Sequence, residues 1–210
     1  AVAEEETLLK LWEGLGYYNR VRNLQRAAIQ IMEDYGGQMP DSYEALLGLT
    51  GIGTYTAGAI ASIAFGKAYP AVDGNVLRVL SRVRMDSRLI TDAKVKDVIE
   101  RELSAVMPEN RPGDFNQAMM EIGACVCLPN GAPLCEKCPL KDICKAHLES
   151  VESEYPKKAG KKARSIEKKT ILIVRDEGKV AVRKRPGKGL LAGMYEFPNE
   201  LGKYSQKKAL

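Results

Sequence analysis

The sequence predicts a mostly α-helical chain that closes on a short β segment, and three observations carry that prediction. Apolar residues recur at helical spacing over roughly the first 150 positions. Glycine and proline interrupt that pattern where helices need ends. After residue 168 the period changes to the two-residue alternation of strands. Taken in order, Leu24, Ala27, Ala28, Ile31 and Met32 follow the i, i+3, i+4 rule, and so do Val95, Val98, Ile99 and Leu103. Gly36-Gly37, Pro40, Gly66 and Pro108 punctuate these helices. A short helix over 44–49 and an apolar one over 55–65 flank Leu49-Thr50-Gly51-Ile52-Gly53. Another is expected after Val72-Asp73-Gly74-Asn75-Val76, running to about Arg84. Residues 170–175 and 179–184 alternate as strands around Asp176-Glu177-Gly178, a hairpin turn. The expected organisation is a helical region over 1–150, a linker over 151–168 and a β region over 169–210.

Length and composition set the limits. At 210 residues, with 45% hydrophobic and 28% charged residues, the chain is an ordinary globular one, long enough for one good core and part of a second. No apolar run approaches a membrane span, and the Ala-Val-Ala-Glu-Glu-Glu start is not a secretory signal, so a reducing compartment such as the cytoplasm and no membrane partner are expected. The net charge of +5 conceals an asymmetry: residues 1–156 carry 16 Lys+Arg against 22 Asp+Glu, and residues 157–210 carry 16 against 5. Nucleic-acid binding by the first part must therefore come from local donors, because its overall field is acidic. The run Lys157, Lys158, Lys161, Lys162 and Arg164 reads as a solvated linker first and a DNA-trailing segment second.

The most specific chemical signal is Cys127, Cys135, Cys138 and Cys144, spaced C-x7-C-x2-C-x5-C within eighteen residues. Four soft ligands on short connections suit one metal centre, and the spread of cysteines does not suit a disulfide framework. Tetrahedral zinc and an iron-sulfur cluster both accept four thiolates; the single C-x2-C knuckle leans toward the cluster, with zinc as the alternative. Cys125 reads as a small buried thiol. His147, the chain's only histidine, reads as an exposed helix-end residue.

Two further motifs concern anions and sugars. In Leu49-Thr50-Gly51-Ile52-Gly53 the glycines permit a tight turn and leave backbone N–H groups open at a helix start, where a phosphate is favoured; a plain helical hairpin packed on Leu49, Ile52 and Ile60 suits the same residues equally. Asp73 is placed as an N-cap. Its carboxylate, about twenty residues after the hairpin, also suits the sugar of a nucleotide whose phosphate the hairpin holds.

Together the hairpin, the aspartate and the cysteine loop resemble the iron-sulfur branch of the helix-hairpin-helix DNA glycosylases, most closely the MutY-type adenine glycosylases. Residues 12–18, 115–120 and 189–198 resemble further stretches of that family, and the likeness runs from about Glu6 to Pro198. The resemblance implies a helix-hairpin-helix glycosylase fold with an iron-sulfur loop over 127–144, followed by the first strands of a MutT-like α+β domain. It implies excision of adenine opposite 8-oxoguanine or guanine in duplex DNA, by a monomer, in base excision repair, in a bacterial cytoplasm. It assigns Asp73 to stabilising the positive charge that develops on the sugar, Leu15 and Tyr17 to a wedge beside the flipped base, Gln117 to the adenine, and Gly51, Gly53, Tyr55 and Asn75 to the DNA. It assigns Cys127, Cys135, Cys138 and Cys144 to a 4Fe-4S cluster.

The chain departs from that pattern in places. Where lyase relatives such as endonuclease III carry a Schiff-base lysine, it has Tyr55, which implies hydrolysis without strand cleavage. Thr50 stands where proline is usual, and the loop from Leu128 to Leu134 contains no lysine or arginine. The family's N-terminal proton-donating glutamate has no counterpart here, and Glu4, Glu5, Glu6 and Glu13 do not take its role. The chain starts without Met, and the expectation is a fragment inactive alone. An endonuclease III-like glycosylase/lyase and a non-catalytic DNA-binding fragment are the alternatives.

Overall fold

A computed structural model describes residues 1–160, 163–205 and 207, so Lys161 and Lys162 of the basic run lie outside the described residues. The chain forms two compact units, Ala1–Gly160 and Lys161–Leu210. The first contains helices α1 (Glu5–Leu11), α2 (Asn19–Asp34), α3 (Tyr43–Gly48), α4 (Thr54–Ile63), α5 (Gly74–Arg84), α6 (Ala93–Ser104), α7 (Pro112–Glu121) and α8 (Lys145–Leu148). A π turn over Ile122–Val126 continues α7, and two short 3-10 turns, Cys135–Lys137 and Lys141–Ile143, shape the cysteine loop.

Local chemistry sets the helix ends. The Ser42 hydroxyl accepts from the Ala45 N–H at 3.1 Å to start α3, and the Asp92 carboxylate accepts from the Lys94 N–H at 2.9 Å to start α6. Pro112 opens α7, where its missing N–H costs nothing. At the end of α2, Gly36 takes φ +60, which lets the Gly37 N–H reach back to the Ile31 carbonyl at 2.9 Å.

Two apolar clusters hold the unit together. One joins Ala27 of α2 to Leu46, Leu49, Ala57 and Ala61 around the α3–α4 hairpin. The other joins Val76, Leu77, Val79 and Leu80 of α5 to Val95, Ile99 and Leu103 of α6 and Met119 of α7. Asn116, 2% exposed, ties the halves: its Oδ1 accepts from the Ala71 N–H at 2.9 Å, and its Nδ2 donates to Ser62 Oγ at 2.7 Å and to the Tyr69 carbonyl at 2.9 Å. That bridge fixes the extended segment delivering Asp73 to the start of α5.

Along α6, Val95, Ile99 and Leu103 are buried as expected, and Val98 is half-buried. In α2 the apolar period is buried only at Ala27; Leu24 and Met32 are 61% and 58% exposed, because the helix meets its neighbours along a narrower stripe than the sequence pattern spans. The segment Val151–Lys157, expected as linker, is anchored to the helical unit: Val151 N–H donates to the Ala146 carbonyl, and the Lys157 carbonyl accepts from the Ile90 N–H.

In the second unit, β2 (Arg175–Asp176) and β3 (Lys179–Val180) pair antiparallel across Glu177 (φ +43) and Gly178 (φ +79), the twisted hairpin turn expected there. The longer strands expected on either side are broken. β1 (Lys169–Ile171) pairs with β6 (Asn199–Leu201), and β4 (Arg183–Lys184) pairs with β5 (Tyr195–Glu196). Among the described residues the result is three two-stranded ladders.

Candidate functional site

The hairpin comes first in chain order. Gly51 sits at φ +81 over α2, where an added Cβ would lie 2.6 Å from Asn23 Cβ, so the turn and its close approach both demand glycine. Gly53 has φ −99 and ψ −178, a conformation open to any residue, and nothing crowds it. The fold does not require that glycine, and a bare Cα there leaves the approach to the α4 N-terminus clear. No side chain caps α4, so its first N–H groups point outward as α-helix starts do. Thr50, where the family usually has proline, uses its N–H: Gln30 Oε1 accepts it at 2.7 Å. Asn23 and Gln30, two turns apart on α2, thus brace the hairpin from beneath.

Asp73 caps α5 with one oxygen and keeps a second for orientation. Its Oδ1 accepts from the Asn75 and Val76 N–H groups, both at 2.8 Å, and its Oδ2 accepts from Asn75 Nδ2 at 2.9 Å. Asn75 Oδ1 in turn accepts from Arg78 Nη2 at 2.9 Å. Arg78 is 5% exposed and also donates to the Gly123 carbonyl (2.6 Å) and the Cys127 carbonyl (2.7 Å). Burial pushes its pKa down, and the nearby Cys127 pushes it partly back. A continuous chain of hydrogen bonds therefore leads from Asp73 to the backbone of the first cysteine ligand candidate. Gly123 lets the π turn close on α5, since a Cβ there would meet Asn75 Cβ at 2.4 Å.

Leu15 and Tyr17 lie on the loop between α1 and α2, 66% and 83% exposed. Tyr17 takes φ +47, a strained conformation for an aromatic residue, between Gly16 at φ +66 and a loop pinned by Trp12 Nε1 donating to the Gly16 carbonyl at 2.9 Å. Both side chains are presented outward and are not the core residues their type suggests. Tyr55 is 36% exposed on the first turn of α4, with its hydroxyl 3.5 Å from Met120 Sδ on α7. Gln117 is exposed one turn earlier on α7. Among the described residues, no hydrogen bond joins Leu15, Tyr17, Tyr55 or Gln117 to Asp73.

Cys127, Cys135, Cys138 and Cys144 line one pocket, with Val79, Val83, Ile122, Val126 and Leu140 as apolar walls. Arg82, 5% exposed, donates through Nη1 to Cys127 Sγ at 3.1 Å and to the Leu128 carbonyl at 3.1 Å, and through Nε to the Glu152 and Tyr155 carbonyls, both at 3.0 Å. Burial, and then the Glu152 carboxylate, push the Cys135 thiol up to about 11; burial also pushes Cys144 up. Cys125 is exposed and not buried, because the extra residue of the π turn carries it outward while Cys127 faces the pocket. His147 is half-buried and not exposed: its Nδ1 lies 2.7 Å from Glu152 Oε1. Sequence reasoning did not find Arg78, Arg82, Gln30 or Glu152. The first two carried a signal, as arginines among the apolar positions of a helix, whose burial demands partners.

A family model described as HhH-GPD superfamily base excision DNA repair protein matches residues 1–107. The chain is 38% identical over 259 aligned residues to adenine DNA glycosylase of Homo sapiens, covering 100% of this chain and 47% of that protein. It is 36% identical over 193 residues to adenine DNA glycosylase of Buchnera aphidicola, covering 92% and 55%. The chain thus spans about half the length of these curated relatives. Among solved structures, a non-covalent Endonuclease III–DNA complex superposes with TM-score 0.59 at 28% identity, over 70% of this chain and 67% of that one. Animal and bacterial relatives occur side by side, so they do not support the bacterial origin expected from the sequence. Among the described residues no helix is long and apolar enough to cross a membrane.

Proposed function

Because the chain belongs to the HhH-GPD superfamily of base excision DNA repair proteins, we propose that it is the DNA-engaging part of an adenine DNA glycosylase that removes adenine opposite 8-oxoguanine or guanine. The observation that carries this reading is the Asp73 carboxylate, held rigidly at the start of α5 by two backbone N–H groups and Asn75, in a chain whose relatives bear that enzyme's name. Breaking the C–N glycosidic bond leaves positive charge on the sugar, and a preorganised carboxylate beside the anomeric carbon stabilises it without reorganising. Asn75 fixes the orientation of that carboxylate. The hairpin amides beside Gly51 and Gly53 hold a backbone phosphate, and Leu15 and Tyr17 fill the stack when adenine flips out. Tyr55 offers no amine, so water and not a protein amine adds to the sugar carbon that adenine leaves, and the strand stays intact. The proton that adenine takes on leaving is not assigned to a residue of this chain.

The four cysteines fit a 4Fe-4S cluster. They line one pocket with apolar walls, and a buried guanidinium donates to one sulfur. Four thiolates gathered around one pocket suit a cluster held entirely by cysteine. Cys127, Cys135, Cys138 and Cys144 would hold the cluster, which would supply structural cross-linking of the end of the π turn to the loop and the start of α8. The strands after residue 168 belong, in this reading, to a MutT-like domain. The alignment with the human relative supports this, because it continues through the whole of this chain.

The test is binding of the chain to duplexes bearing adenine opposite 8-oxoguanine and to the same duplex with an A:T pair. Tighter binding to the mispair is expected, and Tyr17→Ala should erode that preference more than the overall affinity. Equal affinity for both duplexes by the folded chain overturns the reading.

A further inference from the structure

We propose that Lys96 is a further donor to the backbone phosphate that the hairpin holds, and that Glu100 competes with that phosphate for it. Lys96 and Glu100 lie one turn apart on α6, and both meet Thr54, the first residue of α4 and the neighbour of Gly53. Lys96 Nζ donates to Thr54 Oγ1 at 2.9 Å, Thr54 Oγ1 donates to Glu100 Oε1 at 2.9 Å, and Lys96 Nζ lies 3.3 Å from the same carboxylate oxygen. An ammonium group has three donors. The hydroxyl and the carboxylate take two of them, which holds the charge beside the uncapped start of α4 and leaves the third for an oxygen arriving there.

Burial and residue order both point beyond a simple staple. The Lys96 and Glu100 side chains are 31% and 18% exposed, so the ammonium group is sheltered enough to keep its place and open enough to reach an anion. Lysine four residues before glutamate is the weaker of the two orders on a helix, so the pair does little for α6 itself. The bond from Thr54 to Glu100 already ties α4 to α6, and adding a partly desolvated cation to it is costly unless the charge is used. Use is at hand, because residues 1–156 are net acidic and a phosphate site made of amides alone sits in a repelling field. Glu100 neutralises Lys96 in the free chain, and a phosphate on the hairpin draws the ammonium toward itself. This role of Lys96 rests on the hairpin amides holding a phosphate, as in the proposed function.

The experiment measures the affinity of the full chain for a duplex with an A:T pair, and for the same duplex bearing adenine opposite 8-oxoguanine, over a series of salt concentrations. The denaturant midpoint is the check of folding. Lys96→Gln should weaken binding to both duplexes by at least about 3-fold and reduce the slope of log affinity against log salt by about 0.9. Glu100→Gln, which keeps an acceptor for Thr54, should tighten binding to both by about 2- to 5-fold. A mere staple between α4 and α6 predicts otherwise: both variants would weaken binding, and neither would lower the slope. Gly53→Ala combined with Lys96→Gln should cost less than the product of the two single losses, because both act on one phosphate. An unchanged slope in folded Lys96→Gln, weaker binding by folded Glu100→Gln, or losses that multiply in the double variant would each overturn the role of Lys96 while leaving the hairpin on the DNA. If Gly53→Ala binds as tightly as the original, the hairpin itself leaves the interface and the role of Lys96 falls with it.

Discussion

Asp73 has a structural role as the cap of α5 and, in the proposed function, a chemical one, and substitution can separate the two. An asparagine there keeps an oxygen for the Asn75 and Val76 N–H groups, so the cap on α5 survives with a loss of a few tenths of a kcal/mol. The negative charge does not survive. In the protein that carries this chain, Asp73→Asn should lower adenine release by about 10² or more while leaving duplex affinity nearly unchanged, measured as single-turnover rates beside binding. Asp86 offers a contrasting case, a carboxylate whose role is stability alone. Hydrogen bonds from Arg88, at 2.9 and 3.0 Å through Nε, hold its pKa below the ordinary 3.8. A depressed carboxylate contributes stability above its unfolded pKa and loses it as pH falls through the folded value. Asp86→Asn should therefore flatten the drop in melting temperature below about pH 4 and change little near neutrality. Asp73 was legible in the sequence because a cap position has a local signature. Its support through Arg78 was not, since Arg78 reaches Gly123 and Cys127, 45 and 49 residues away, and only tertiary packing brings those carbonyls to it.

The hairpin and the π turn show the same division at the level of elements. Both glycines of the Gly51-Ile52-Gly53 turn are visible in the sequence, yet they do different work. Gly51→Ala places a methyl against Asn23 at a left-handed φ, so it should destabilise the folded chain by about 1–3 kcal/mol, seen as a lower denaturant midpoint. Gly53→Ala meets no neighbour; the midpoint should stay put while affinity for all duplexes falls by similar factors, since a phosphate contact carries no sequence information. A Gly53→Ala chain that binds DNA as tightly as the original would remove the hairpin from the interface. The bracing by Asn23 and Gln30 escaped the sequence reading because a polar pair on a helix usually faces water. The π turn escaped it because periodicity over α7 gives no warning of one inserted residue, and that residue decides which of Cys125 and Cys127 faces the pocket.

At the scale of the whole chain, helix order, the gathering of four cysteines around one pocket and the final change to strands were all readable from spacing. Which apolar faces would be covered was not, as Leu24 and Met32 show, because burial depends on partners that a single helix pattern does not contain. Charge distribution gives the last prediction. Residues 1–156 are net acidic and residues 157–210 strongly basic, so phosphate contacts through hairpin amides and contacts through lysine and arginine should differ in salt response. Amide contacts bring no cation with them, whereas each cationic side chain on a phosphate adds about 0.9 to the slope of log affinity against log salt. Lys157 is already engaged, with Nζ 3.4 Å from Glu154 and 4.9 Å from the centre of the Tyr155 ring. Lys158 and Arg164 are exposed. Replacing Lys158 and Arg164 with alanine should reduce the slope by about 2 and leave the preference for the oxidised mispair unchanged, whereas Lys157→Ala alone should change the slope little. An unaltered slope in the double variant would mean that this basic segment stays off the DNA and that phosphate binding rests on other groups of the chain.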